Sequence, residues 1–212
     1  MLLWEQDLKK HHSYEPRHGH GLKHDPLNAI VAPRPIGWIS TISDAGVGNL
    51  APYSFFNLFN YAPPIIGFAS IGWKDSAANI DATGEFVWNL ASRALAEAMN
   101  ASSATVAPGV DEFALAGLET LPSTLVAPAR VALSPVQFEC RHTQTLRLTG
   151  ADGAATDAWL ILGEVIAVHI DEAMIEEGVY QTIRGDPVLR GGGWGDYFTI
   201  DQSALFRMRR PD

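Results

Sequence analysis

Between Ser70 and Leu90 the chain reads SIGWKDSAANIDATGEFVWNL, and a cation, a carboxylate, a hydroxyl and an amide crowd together at Lys74, Asp75, Ser76 and Asn79. The apolar run before them is strand-like and the residues after them are helical in composition, so these groups stand where a strand gives way to a helix that runs through Asp81. The first N–H groups of a helix lack partners within it and carry partial positive charge. Together with Lys74 as a mobile cation and Ser76 as a hydroxyl, they form the donor set required by a phosphate monoester, with its roughly two negative charges. A carboxylate repels such a group unless it turns away, either to cap the helix or to pair with Lys74 or Arg34, and Asp75 is assigned that supporting role. Asn79 follows Ser76 by three residues and Asp75 by four, one turn further along the same face.

A capped helix beside a solvated lysine is common, and two other segments give the phosphate reading its weight. APRPIGWIST, Ala32 to Thr41, has a proline-fixed entry around Arg34 and a strand with hydroxyls at Ser40 and Thr41. GNLAPYSFFN, Gly48 to Asn57, interrupts a strand at Pro52, with Asn49 and Ser54 near the break, where backbone groups lose their ladder partners and become available to a ligand.

The elements that must position these groups follow from the rest of the chain. Its 212 residues, 47% hydrophobic, suffice for one substantial core. The net charge of −9 argues against a nucleic-acid or anionic-membrane partner, both of which need a positive surface. No segment has the length and apolarity of a membrane span, and the start lacks the pattern of a secretory signal, so a cytoplasmic protein is expected. The single cysteine, Cys140, lies among strand-like apolar residues and reads as a buried structural thiol in a reducing compartment.

Residues 1–28 form a polar arm with five of the seven histidines, at 11, 12, 18, 20 and 24, whose spacing matches no zinc motif. Residues 29–212 form the domain. From Ile36 onward, short apolar runs alternate with turn residues; RALAEAMNASSA and DEFALAGL are helical, and the stretches from Leu125 to Gly150 and from Ala158 to Asp171 are rich in β-branched residues with ADGAATD as the hairpin loop between them. Strands without regular strand–helix alternation predict a mainly β fold with helices, an antiparallel barrel.

In order along the chain, PRPIGWIST, GNLAPYSFFN, WKDSAANIDATGEFVWNL, GVDEFALAGL, SPVQFEC and LGEVIAVHID resemble the flavin reductase-like family, in its DIM6/NTAB branch, of the FMN-binding split-barrel superfamily. The resemblance implies a six-stranded antiparallel split β-barrel of Greek-key type, a homodimer, and FMN near the subunit interface. It implies that Lys74 and Ser76 hold the FMN phosphate with help from Arg34, with Asn79 in the same network. Ser40, Thr41 and the turn Ala51, Pro52, Tyr53, Ser54, together with Asn49, would contact the ribityl chain and ring. The Gly-rich tail before an aromatic residue, RGGGWGDYFTI, would bring Tyr197 or Trp194 near the ring.

FMN itself performs hydride and electron chemistry, so no dedicated acid or base is required, and no catalytic side chain and no metal site are assigned. Relatives that reduce free flavin with a nicotinamide carry a histidine before the GEV strand, and Ala158 occupies that place here. The leading expectation is an FMN-dependent oxidoreductase that takes hydride from NADH or NADPH and passes it to free flavin, dioxygen, an electron-transfer partner or a small organic molecule. An FMN-binding electron carrier without its own substrate site is the alternative, and a barrel that has lost FMN a third. His142 is a second candidate for approaching the ring, and His18 to Pro26 a candidate lid.

Overall fold

A computed structural model of the chain describes residues 10–107 and 109–211. Seven strands form one antiparallel sheet: β1 (Gly37–Ile42), β2 (Gly48–Tyr53), β3 (Phe56–Tyr61), β4 (Pro64–Ile71), β5 (Glu85–Asn89), β6 (Val136–Thr149) and β7 (Ala155–Ile170). Their spatial order is β2-β1-β5-β6-β7-β4-β3, which returns β4 to the side of β7 in a Greek-key arrangement. The helices are short: α1 (Leu27–Ile30), α2 (Asp75–Thr83), α3 (Ala96–Ala101) and α4 (Glu112–Leu115). Among the described residues no helix is long and apolar enough to cross a membrane.

The two edge strands of the sheet, β2 and β3, are consecutive in the chain, with only Ser54 and Phe55 between them. The sheet must therefore curl until its edges approach, and Tyr53 on β2 packs on Phe68 of β4 with ring centroids 4.4 Å apart. Gly37 of β1 backs onto the Phe56 ring so closely that a Cβ would come within 2.8 Å of it. This closure accounts for the departure from six strands. The run through LAPYSFFNLF is not one interrupted strand but two, because the chain changes edges at Ser54 and Phe55.

Period-two alternation sorts β1 between two cores. Ile39 faces the barrel interior with Tyr53, Ile66, Phe68, Phe86 and Ile161, and α2 closes one end by adding Ala77 and Ile80. Trp38 faces outward into a second core with Leu50, Leu95, Met99, Phe113 and Val131, where α3 and α4 pack. Cys140 is fully buried in the first core, and its burial pushes the thiol pKa far up, as expected of a structural cysteine.

The β-rich reading of residues 125 to 135 is only partly met. That stretch is mostly loop, with a two-residue strand at Arg130–Val131 paired to Thr120–Leu121. Prolines at 122, 128 and 135 remove ladder donors, and carboxylates take over the pairing: the buried Glu139 accepts from the Thr124 and Leu125 N–H groups at 2.7 and 2.6 Å, and the half-buried Glu85 from Ala127 at 2.7 Å. The expected arm is largely exposed from Lys10 to Pro26, but α1 crosses its boundary at residue 28; residues 1–9 lie outside the described residues.

Gly163 on β7 sits where the chain passes over Phe86, and a Cβ there would meet the Phe86 ring at 2.3 Å and the Arg141 carbonyl at 3.0 Å. Gly163→Ala should therefore destabilise the fold by about 1–3 kcal/mol, the usual range for overpacking a filled core. Urea unfolding followed by tryptophan fluorescence would show this as a lowered midpoint; an unchanged midpoint would mean that the ring has room to move.

Candidate active site

The helix predicted at the knot is α2, Asp75–Thr83, and it begins immediately after β4 and the left-handed turn at Gly72. Lys74 itself is the N-cap, in extended conformation, and no side chain caps the helix. Asp75 is thus neither the cap nor, among the described residues, part of an ion pair with Lys74 or Arg34. It occupies the first helical position, where a carboxylate is favoured by the positive end of the dipole without hydrogen bonding. The start of the helix, with no side chain capping its first N–H groups, lines a cleft.

That cleft has a volume of about 470 Å³ and is lined by Asn49, Ala51, Pro52, Tyr53, Ser54, Lys74, Asp75 and Ser76, all foreseen from the sequence. Behind it lies a continuous amide–hydroxyl network. Asn49 Nδ2 donates to Thr41 Oγ1 at 3.0 Å and to Ser76 Oγ at 2.9 Å, and Asn79 Nδ2 donates to the same Thr41 oxygen at 3.0 Å. Thr41 and Asn79 do not line the cleft; they fix β1, β2 and α2 to one another beneath it. Because Ser76 accepts from Asn49, its own O–H remains free to donate.

Tyr53 supplies the most telling atom. Its hydroxyl is buried without a hydrogen-bond partner, the one such side-chain atom among the described residues. Burial pushes the phenol above its ordinary pKa, with the adjacent Ser76 and Ser70 hydroxyls pulling the other way, so it stays protonated and is a donor. A buried unpaired donor costs about 1–3 kcal/mol, which a ligand acceptor in the cleft would offset.

Sequence reasoning missed two parts of the wall. One is the turn after α3, Ser102 to Val106, anchored where Trp38 Nε1 donates to Ser102 Oγ at 3.0 Å. Its hydroxyl-rich SSAT was visible, but nothing in the spacing placed it opposite α2. The other is Glu112 on α4, buried within an apolar run, whose Oε2 accepts from the Leu50 N–H at 3.1 Å. Asp111 caps α4, accepting from Phe113 N at 2.8 Å, and so aims its neighbour Glu112 inward.

Other expected residues lie elsewhere. Ser40 faces the second core and donates to the Ala129 carbonyl at 2.6 Å, because alternation turns it away from Thr41. Arg34 sits in an adjoining trough of about 620 Å³, which shares Phe55 and Ala69 with the cleft and includes Pro33, Phe56 and Phe59. Its Nε donates to the Ser54 carbonyl at 3.0 Å, its Nη1 to the carbonyls of Asn28 and Val31, and its guanidinium lies over the Phe55 ring at 5.5 Å. Arg34 thereby ties α1 to the turn where the sheet closes. Tyr197 lies under Arg190 at 5.1 Å and lines a separate cavity with Arg93 and Met99. His142 bonds Thr145 Oγ1 at 2.8 Å, and His24 meets the Trp194 ring edge-on at 6.2 Å; neither lines the cleft.

Burial raises the Glu112 pKa, the Leu50 N–H opposes this, and Asp75 and Asp111 add to it. A raised carboxyl pKa means that the folded state holds the proton more tightly than the unfolded chain does. This group's contribution to stability is therefore greatest at acid pH and is lost as pH rises through the raised value. Glu112→Gln keeps an acceptor for Leu50 and should abolish that loss, so the variant gains stability relative to the parent from pH 4 to 7 in paired urea titrations at about those pH values. A constant difference across the range would mean that Glu112 ionises normally.

The model of the family described as flavin reductase like domain matches residues 31–187. An uncharacterized protein of Deinococcus radiodurans is 38% identical over 195 residues, covering 86% of this chain and 83% of its own, and one of Aquifex aeolicus is 34% identical over 172 residues, covering 77% and 83%. Among solved structures, nitrilotriacetate monooxygenase component B from Bacillus cereus superposes with a TM-score of 0.84 at 25% identity, covering 94% of this chain and all of that one. The 2-nitrobenzoate 2-nitroreductase NbaA of Pseudomonas fluorescens gives 0.76 at 26% identity, covering 87% and 88%. A putative flavin reductase with a split barrel domain from Shewanella frigidimarina gives 0.80 at 20% identity, covering 96% and 100%, a likeness in fold. With the barrel, the cleft and a family match running from Val31 to Pro187, this chain belongs to the flavin reductase-like domain family.

Proposed function

We propose that the chain is an FMN-dependent oxidoreductase with flavin reductase-like activity, reduced by NADH or NADPH. The observation that carries this reading is the unpartnered Tyr53 hydroxyl in a cleft that also holds Lys74 and the uncapped start of α2. A donor set of this kind suits a phosphate monoester. The adjoining trough, with Phe55, Phe56, Phe59 and Pro33, suits a flat aromatic ring joined to that phosphate by a polyhydroxyl chain. Family membership supports a flavin, and the cleft-plus-trough shape supports FMN within that class.

Bound FMN supplies the hydride and electron chemistry. The chain's own groups do the rest. Lys74, the α2 N–H groups, Ser76 and Tyr53 hold the phosphate. Asn49, Thr41 and Asn79 fix those groups in place, and the edge strand β2, from Ala51 to Tyr53, offers backbone groups alongside the ligand. Asp75 and Glu112 line the same cleft, where burial raises the Glu112 pKa, so Lys74 and the helix dipole must outweigh two carboxyls.

An FMN-binding electron carrier is the second reading, favoured by Ala158: it is buried on β7 opposite Ile71, and its methyl group offers a nicotinamide no polar contact. The exposed apolar side chains Phe55, Leu58, Phe59 and Tyr61 around the trough support a homodimer that covers them with FMN near its interface. An acidic chain with one buried cysteine suits the cytoplasm.

Purified protein loaded with FMN should bleach anaerobically on addition of NADH or NADPH; bleaching by neither would leave the electron-carrier reading. Lys74→Ala should weaken FMN binding by about 1–3 kcal/mol, with riboflavin, which lacks the phosphate, hardly affected. Equal losses for the two ligands in fluorescence-quenching titrations would assign Lys74 to packing.

A further inference from the structure

We propose that the C-terminal segment of each chain, Leu205 to Arg210, docks in an apolar groove of a second copy; the proposal rests on the homodimer reading above. The groove, about 460 Å³, lies past the end of the barrel core on the same face of β5, β6 and β7, and is lined by Trp88, Phe138, Val168, Ile170 and Tyr180 among others. It shares no lining residue with the cleft. Val168 and Ile170 are exposed there, on the core-side face of β7 beyond Val165.

The tail is the reverse of a solvated end. It reads LFRMRRP, and Leu205, Phe206 and Met208 stand 53%, 77% and 83% exposed. An apolar triplet held out in water needs a partner surface. Its charge points to which one. Arg207, Arg209 and Arg210 give the tail three positive charges in a chain of net −9, and the residues that follow the groove-lining Ile170 in the chain include the exposed acids Asp171, Glu172 and Glu177. Among the described residues these three form no ion pair, whereas Glu176 is taken by Arg184 at 2.7 Å. Apolar anchors interleaved with arginines thus match an apolar groove whose lining strand runs on into acidic residues.

The chain's own groove is not where its tail goes. Ile200 still lines that groove, but Asp201 then caps a turn over Gln202–Ala204, accepting from Ser203 N at 2.7 Å, and Leu205 onward leads out into solvent. A tail that starts at the rim of one groove and turns outward is placed to enter the same groove of a symmetry-related copy, and the exchange is reciprocal.

The test uses full-length chains. One population carries Phe206→Cys, a second, differently tagged, carries Val168→Cys, and the native Cys140 is buried and does not compete. After mixing and subunit exchange, a short bis-maleimide should join the two tags into one product, and the yield should fall in high salt. A double variant that links only within one chain would overturn the proposal in favour of self-docking. Chains that sediment as dimers yet give no cross-link would overturn tail exchange while leaving the dimer intact; chains that sediment as monomers at all concentrations would overturn both. As an independent measure, Phe206→Ser with Met208→Ser should raise the dimer dissociation constant roughly tenfold or more, while FMN affinity stays unchanged. An unchanged dissociation constant would contradict the proposal.

Discussion

A helix start without a side-chain cap and a buried tyrosine hydroxyl next to the Ser76 and Ser70 hydroxyls stand side by side in this fold. Both line one cleft. Each alone costs stability, since buried polar groups without partners are penalised and helix starts are usually capped. Found together, with a lysine at the cap position, they gather hydrogen-bond donors and a cation at one place in a chain whose overall charge is strongly negative. The rest of the architecture can be understood as holding that site open.

The barrel does so by bringing distant segments to one rim. β2 delivers Asn49 and Tyr53, β4 runs directly into α2, and α4 presses Glu112 against Leu50 from outside. The Asn49–Thr41–Asn79 network ties these pieces together: an apolar residue at 49 would remove the amide donor to Ser76 Oγ, and one at either position would remove one of the two donors to Thr41 Oγ1. At the neighbouring split, where β2 passes to β3, Arg34 holds the Ser54 carbonyl and covers Phe55. The residue expected to clamp an anion thus builds the passage between the polar cleft and the apolar trough.

Much of this was legible in the sequence because local chemistry fixed it. The strand-to-helix step at Lys74 and the hairpin loop between the two long strands are signalled by turn residues and periodicity, whereas Pro52, read as a strand break, lies within β2 opposite Trp38. The ordered motifs carried the family, and with it the split barrel. What escaped was long-range. Ser40 and Thr41 are adjacent in sequence, yet pleating puts one in each core. Nothing local in DEFALAGL marks Glu112 as buried, since its partner is the Leu50 N–H of β2, and Tyr197 lies by Arg190, away from the cleft. The strand count differed because closure of a sheet at two residues, Ser54 and Phe55, leaves no mark in composition. Asp75 failed as a cap for a simpler reason: the extended residue before the helix is Lys74, so the carboxylate falls one position too late to reach back to the free N–H groups.

The most direct measurement is a crystal structure of the FMN complex, with attention to one atom. The phosphate should lie at the start of α2, with the Tyr53 hydroxyl and Lys74 Nζ both within about 3.2 Å of its oxygens. A phosphate bound instead beside Arg34, with the Tyr53 hydroxyl still unpartnered and the helix start bare, would contradict the account.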